Sequence, residues 1–496
     1  MEKPKLRLLG SLAILEGFPH HFLERLCSIL SYEETQRTRT GFTQTLNYKI
    51  GSQLVDGSWA YPVRCWTYIK YCLRMIQPHL EYEVVDQRRF QYGTPLNNSF
   101  EFIKGLEPWE FHQEGVRKGF SLGHGVFHVA TGCGKSRIGL NLCYNAYKAT
   151  NKPVMWLCSM KNALEDFSLQ EAYSQACATV GGEGWIEFLT RSKVGLDIKN
   201  GNFDPGAWGG ILIDECHDAA SPQYRAILDE PIPFAFGMTG TMIRNDGKEI
   251  VIHAFLGPSV YKFPREKGIE VGVITDVKVL RHKLSWPEST KVDDETFRRR
   301  KGNLEWIDSL DMNKHLVETY IDQNEERCSY IANLVKKLVD RGGQVIVLYD
   351  RVATMHGTML TDKIAEAIGP ELVENCNGST GTAKYRNSVA LQFKYGQLRC
   401  LVTTLAYRSV DYTMTTDVIL SGGVVSESDC IQAAGRACRT HAGKAHSYLH
   451  LIHDEGHNML SSKGRRAANS FRQEGFEVID FKDSLLGQHT MEFEDA

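Results

Sequence analysis

The sequence predicts an α/β protein with two parallel-sheet domains in tandem behind a small N-terminal α+β accessory domain. Three observations predict it. From Gly125 onward, short apolar runs alternate with longer stretches of helical spacing. Buried parallel strands read as continuous apolar runs, and intervening helices complete βαβ units. That rhythm stops between about residues 285 and 325, a polar stretch with the basic run Arg298, Arg299, Arg300 and Lys301, and it resumes near Gln344. Residues 1 to about 105 differ again: they are rich in aromatics and carry 12 Lys and Arg against 9 Asp and Glu over the first hundred positions.

The chain has 496 residues, a length that suggests two to four domains. Lys and Arg number 57 and Asp and Glu 60, a net charge of −3, with 42% hydrophobic and 24% charged residues. These values fit an ordinary soluble globular protein and argue against a disordered or fibrous chain. No segment approaches the ~18 consecutive apolar residues of a membrane span. The start, from Met1 to Phe18, has a short apolar run and no small-residue cleavage site, so no secretory leader is expected. The 13 cysteines are odd in number, and none stand at Cys-x-x-Cys spacing. This disfavours disulfides and structural zinc, and it predicts a reducing, cytoplasmic setting. The near-neutral charge leaves room for a polyanion bound along one local basic stripe.

In the N-terminal region, Trp59, Tyr61, Arg64, Trp66, Tyr68, Lys70, Tyr71 and Arg74, then Arg88, Arg89, Phe90 and Tyr92, interleave rings and cations. Cations bind phosphates and rings stack on bases, although taken singly these aromatics fit the core of a small α+β domain. The expected strands that follow are Val126–Val129, Val154–Cys158, Ile211–Ile213, Gln344–Tyr349, Leu398–Val402 and Asp417–Leu420. The tail, from about 454 to 496, carries Lys463, Arg465, Arg466 and Arg472 and ends acidic.

The sharpest motif is Val129-Ala-Thr131-Gly132-Cys133-Gly134-Lys135-Ser136, between an apolar run and a helical pattern through Ile138, Leu140, Leu142 and Tyr144. A strand, a glycine loop and a helix start form a concave set of backbone N–H groups. The glycines allow close approach to phosphates, Lys135 reaches the β/γ-phosphates, and the Ser136 hydroxyl takes one Mg²⁺ position. The chain later reaches Gly-Gly-Ile-Leu-Ile-Asp214-Glu215-Cys216-His217, a strand ending in two carboxylates. Ligands of open α/β sheets sit at such strand ends. There Asp214 would hold Mg²⁺ and Glu215 would orient and deprotonate the attacking water, while His217 could link the nucleotide site to the other domain.

These residues, with Thr239-Gly240-Thr241 and Gln432-Ala-Ala-Gly435-Arg436-Ala-Cys-Arg439, stand in the order of superfamily 2 helicases of the DExH type, and the chain resembles them from about residue 106 to 455. The resemblance implies RecA-like domains at 106–268 (ATP-binding) and 269–496 (C-terminal, with the basic tail), behind a DNA-binding accessory domain at 1–105. It implies ATP and Mg²⁺ as cofactors and Gln113, in Trp109-Glu-Phe-His-Gln113, as the reader of the adenine edge. It further implies Arg436 and Arg439 as γ-phosphate arginines, and His217, Thr239, Thr241 and Gln432 as coupling residues. Arg386 and Phe393 match the helix before motif V, and Thr403, Thr404 and Asp411 resemble motif V.

Within the superfamily, the stretch Phe255 to Tyr261, then Gly268-Ile-Glu and Val273 to Lys278, is similar to the domain junction of phage UvsW-type helicases. That likeness implies ATP-driven, 3′ to 5′ remodelling of branched or forked DNA in a host cytoplasm, with other replication or recombination proteins as candidate partners. Two departures stand out: Cys158 to Leu164 lacks the usual proline of motif Ia, and Ser409 replaces the usual motif V glycine. An RNA helicase or transcript-release ATPase with the same motor is the alternative, and a nucleotide-gated clamp is a third reading.

Overall fold

The computed structural model describes residues 3–37, 43–88, 100–158, 167–240, 248–285, 317, 321–349, 356–404, 414–422, 435, 447–455 and 458–482. The chain divides near Pro264 into two compact units.

The first unit opens with strands β1 (Lys5–Leu8), β2 (Leu12–Glu16), β3 (Ser31–Arg37), β4 (Thr43–Lys49), β5 (Ser52–Gln53), β6 (Trp59–Pro62) and β7 (Glu83–Asp86), and helices α1 (His20–Ile29) and α2 (Trp66–Ile76). A mixed sheet runs β5-β6-β2-β1-β7, parallel only between β1 and β7, and β3 and β4 form a separate antiparallel ribbon. This is the expected α+β region. Period-two burial in β1 puts Leu6 and Leu8 inside, and α1 buries Phe22, Leu23 and Leu26 on one stripe.

The first parallel sheet follows, with β8 (His124–Val129), β9 (Val154–Cys158), β10 (Ile186–Thr190), β11 (Gly210–Asp214), β12 (Phe234–Thr239) and β13 (Ser259–Phe263). Its order is β10-β9-β11-β12-β8-β13 with every pairing parallel. The helices between them are α3 (Glu110–Leu122), α4 (Lys135–Thr150), α5 (Phe167–Val180), α6 (Arg191–Lys199), α7 (Pro222–Leu228) and α8 (Glu249–Leu256). Strands such as β9 are buried at every position, as a sheet covered on both faces requires. One continuous core joins Leu6, Phe22 and Tyr61 of the N-terminal region to Met155, Ile211, Ala235 and Ile252 of this sheet. Arg64 crosses the same junction: only 5% exposed, it donates to the carbonyls of Leu228 at 2.7 Å and Ile232 at 2.8 Å.

The second unit contains helices α9 (Arg265–Glu270), α10 (Glu325–Val339), α11 (His356–Ile368), α12 (Ala383–Lys394) and α13 (Asn458–Gln473). Its strands are β14 (Val277–Leu284), β15 (Val345–Tyr349), β16 (Val373–Asn375), β17 (Cys400–Thr404), β18 (Asp417–Leu420), β19 (Ser447–Asp454) and β20 (Val478–Asp480). They form one parallel sheet in the order β16-β17-β15-β18-β19-β14-β20. The two RecA-like sheets in tandem are therefore present. The run expected at Leu398–Val402 becomes β17, starting at Cys400, because pairing with β15 aligns Val345 with Cys400 and leaves Leu398 ahead of the ladder. The basic run at Arg298 to Lys301 lies outside the described residues.

Candidate nucleotide site

Three adjacent parallel strands, β11, β12 and β8, deliver the expected residues at their C-terminal ends. Beyond β8 the chain turns through Ala130 to Gly134 and enters α4 at Lys135. Gly132 and Gly134 have φ of 84° and 81°, the left-handed region that a Cβ disfavours. A Cβ on Gly134 would also lie 3.1 Å from the Trp109 ring. Glycine at 134 is thus favoured by its backbone, with a tight neighbour besides, and the loop ends at the start of a 16-residue helix.

Asp214 closes β11, and the chain then turns through Glu215 at φ 52° and ψ 54°. A left-handed non-glycine residue costs about 1–2 kcal/mol. The Asp214 carboxylate offsets part of that by accepting from the Glu215 N–H at 3.0 Å. The turn aims Glu215 across the site, where its Oε1 meets Lys135 Nζ at 2.9 Å. Burial alone would pull the Lys135 ammonium down, but the carboxylates of Glu215 and Asp214 outweigh it and hold the group above its usual value. His217 stands beside them, with Nδ1 at 3.4 Å from Glu215 Oε2 and 3.0 Å from Thr239 Oγ1 at the end of β12. Cys216 between them is buried, and burial holds its thiol well above the usual range, so it is no nucleophile.

The structure therefore brings together Lys135, Asp214, Glu215, His217 and Thr239, with Ser136 one residue into α4. The Gln113 amide donates to the Pro108 carbonyl at 3.2 Å. In the second unit, Arg386 donates to the carbonyls of Thr380 and Gly381, Phe393 is fully buried, and Thr403 and Thr404 end β17. Thr241, Asp411, Gln432, Arg436 and Arg439 lie outside the described residues.

Among the described residues no group of three His, Cys, Asp or Glu could cage a metal. The Ser136 hydroxyl at the start of α4 and the Asp214 carboxylate at the end of β11 are oxygen donors of the kind that suits a hard cation arriving with a phosphate. What reading the sequence missed is Trp109 against the loop, together with Asn141 and Asn145 on α4. The available signal was two asparagines four residues apart within a largely apolar stretch of the helix.

Known families match both units. The model described as type III restriction enzyme, res subunit, matches residues 97–244, and the helicase conserved C-terminal domain matches residues 326–441. The chain is a superfamily 2 helicase of the DExH type. A curated relative, the DNA 3'-5' helicase XPB of Kineococcus radiotolerans, is 24% identical to this helicase over 261 residues, covering 51% of this chain and 41% of that one. This chain thus spans about two fifths of the relative's length. A fragment of a putative HsdR subunit of a type I restriction enzyme from Vibrio vulnificus shares the fold at TM-score 0.53 and 16% identity, over 94% of this chain and 85% of that one. The T4 UvsW structure aligns over 97% and 99% of the two chains at 16% identity and TM-score 0.39. No described helix is long and apolar enough to cross a membrane.

Proposed function

We propose that this helicase hydrolyses ATP and uses the cycle to move along DNA and remodel forked or branched structures. The observation that carries the proposal is the 2.9 Å pair between Lys135 and Glu215, drawn together from the ends of β8 and β11. Phosphoryl transfer needs positioning and charge neutralisation more than covalent chemistry. The backbone of Thr131, Gly132, Cys133 and Gly134 cradles the phosphates, Lys135 binds the terminal ones, and Gln113 contacts the base. Arriving phosphates take Lys135 from Glu215, which frees that carboxylate to orient and deprotonate water. Ser136 and Asp214 would hold Mg²⁺, which neutralises phosphate charge. His217 and Thr239 bridge this turn to β12 and, with Thr241 and Gln432, couple hydrolysis to movement. Arg436 and Arg439 stabilise charge on the γ-phosphate.

DNA as the track, and the 3′ to 5′ sense, follow the named activity of the curated relative. Branched DNA follows the sequence likeness around Phe255 to Lys278, and residues 1–105 serve as the accessory grip on it. The test compares ATP turnover alone, with forked DNA and with matched RNA, then unwinding of forks, four-way junctions and tailed duplexes. Stimulation by DNA with preference for branched substrates supports the proposal. Stimulation by RNA alone moves the assignment to an RNA motor, and no stimulation removes the motor.

A further inference from the structure

The segment leading into α3 is tied to the helix that follows the phosphate loop. Asn141 and Asn145, 0% and 2% exposed, lie one turn apart on α4. The Ile103 N–H donates to Asn141 Oδ1 at 2.8 Å, and Asn141 Nδ2 donates to the Leu106 carbonyl at 2.9 Å. Asn145 repeats the pattern on Glu101, accepting from its N–H at 3.0 Å and donating to its carbonyl at 2.8 Å. One turn earlier, Arg137 donates to the Glu107 carbonyl at 3.4 Å. Positions 137, 141 and 145 share one helix face, so three side chains lace residues 101 to 107 along α4.

The laced segment ends at Trp109, whose ring packs against the backbone of Gly134. The far end of the loop is pinned through the same aromatic group: the Ala130 N–H donates to the Phe263 carbonyl at 3.0 Å, and the Phe263 ring stacks on Phe111 at 4.9 Å. Trp109 lies 5.7 Å from Phe111 and 5.8 Å from His112, ring to ring.

We propose that Trp109 is a positioning residue of the nucleotide site, and that the strap from Glu101 to Trp109, held by Arg137, Asn141 and Asn145, sets the phosphate loop in its binding conformation before nucleotide arrives. A glycine loop has more freedom to lose than any other, and a wall against Gly134 removes part of that loss in advance. The strap also fixes the start of α3, and so places Gln113 one turn beyond Trp109. The inference rests on the proposed ATP site and concerns affinity rather than chemistry.

The test measures binding of a fluorescent, non-hydrolysable ATP analogue to the full chain, with turnover and melting temperature alongside. Trp109→Ala should weaken binding about tenfold and raise KM in parallel while kcat at saturation stays within about threefold, because pre-organisation is lost and the reacting groups remain. Trp109→Phe should recover most of the affinity, and Asn141→Ala, which leaves Trp109 in place, should weaken binding in the same direction. Unchanged affinity in Trp109→Ala overturns the inference, as does a fall in kcat and melting temperature with no change in affinity. A chain that binds the analogue with this pattern yet hydrolyses nothing upholds the inference and refutes the proposed motor.

Discussion

Lys135 and Glu215 pair at 2.9 Å in a partly buried site, and the proposed mechanism gives each a distinct task once phosphates enter. Their variants should therefore separate. Lys135→Ala should abolish turnover and nucleotide affinity together while leaving DNA binding largely intact, as filter binding with labelled DNA would read. Glu215→Gln keeps the shape of the side chain and removes the proposed base. It should lower kcat by about 10²- to 10⁴-fold and leave nucleotide bound, measured by single-turnover hydrolysis. Both residues were legible in the sequence, because a glycine loop with its lysine and a strand-ending carboxylate pair are local patterns. The left-handed backbone at Glu215 was not, since nothing in Asp-Glu-Cys-His announces a positive φ. Trp109 was visible as a neighbour of Gln113, and only the fold shows that its ring meets the loop 25 positions later.

At the scale of elements, two buried arginines hold secondary structure together across long stretches of chain. Arg64 ties the N-terminal region to the end of α7 and to the segment after it, through the carbonyls of Leu228 and Ile232. Arg64→Ala should destabilise the first unit by about 2–3 kcal/mol, because it removes charged hydrogen bonds and leaves carbonyls buried without partners. Urea unfolding followed by tryptophan fluorescence would measure it. In the second unit, Arg327 on α10 meets Asp454 at the end of β19 at 3.0 Å, with side chains 0% and 4% exposed. Asp454→Ala alone should cost about 3–5 kcal/mol, and the double variant Arg327→Met with Asp454→Leu should cost much less, because the first strands a buried charge. Neither pair could be read from sequence: the partners stand 164 and 127 positions apart, and an arginine in a strand or helix looks like a surface residue. The strands themselves were legible for the opposite reason, since apolar runs such as Val154–Cys158 are continuous when both faces are covered.

At the scale of the molecule, two parallel sheets with separate cores carry the matched helicase regions, and the first core extends without a break into the N-terminal sheet. The tandem architecture was legible from the interruption between about 285 and 325; the shared core was not, because composition marks a region and says nothing of its packing partner. Because the proposed Mg²⁺ would arrive with the phosphates at Ser136 and Asp214, a chelator should stop hydrolysis and leave the melting temperature of the nucleotide-free chain unchanged, as calorimetry in EDTA would show. On the proposed function, ATP hydrolysis at the Lys135–Glu215 site is driven by engagement with branched DNA. The most direct measurement is steady-state phosphate release by the full chain, titrated with forked DNA, beside Glu215→Gln. The rate should rise to saturation with DNA in the wild type and stay flat in the variant; a wild-type rate indifferent to DNA, or a variant that hydrolyses as fast, would contradict this dependence.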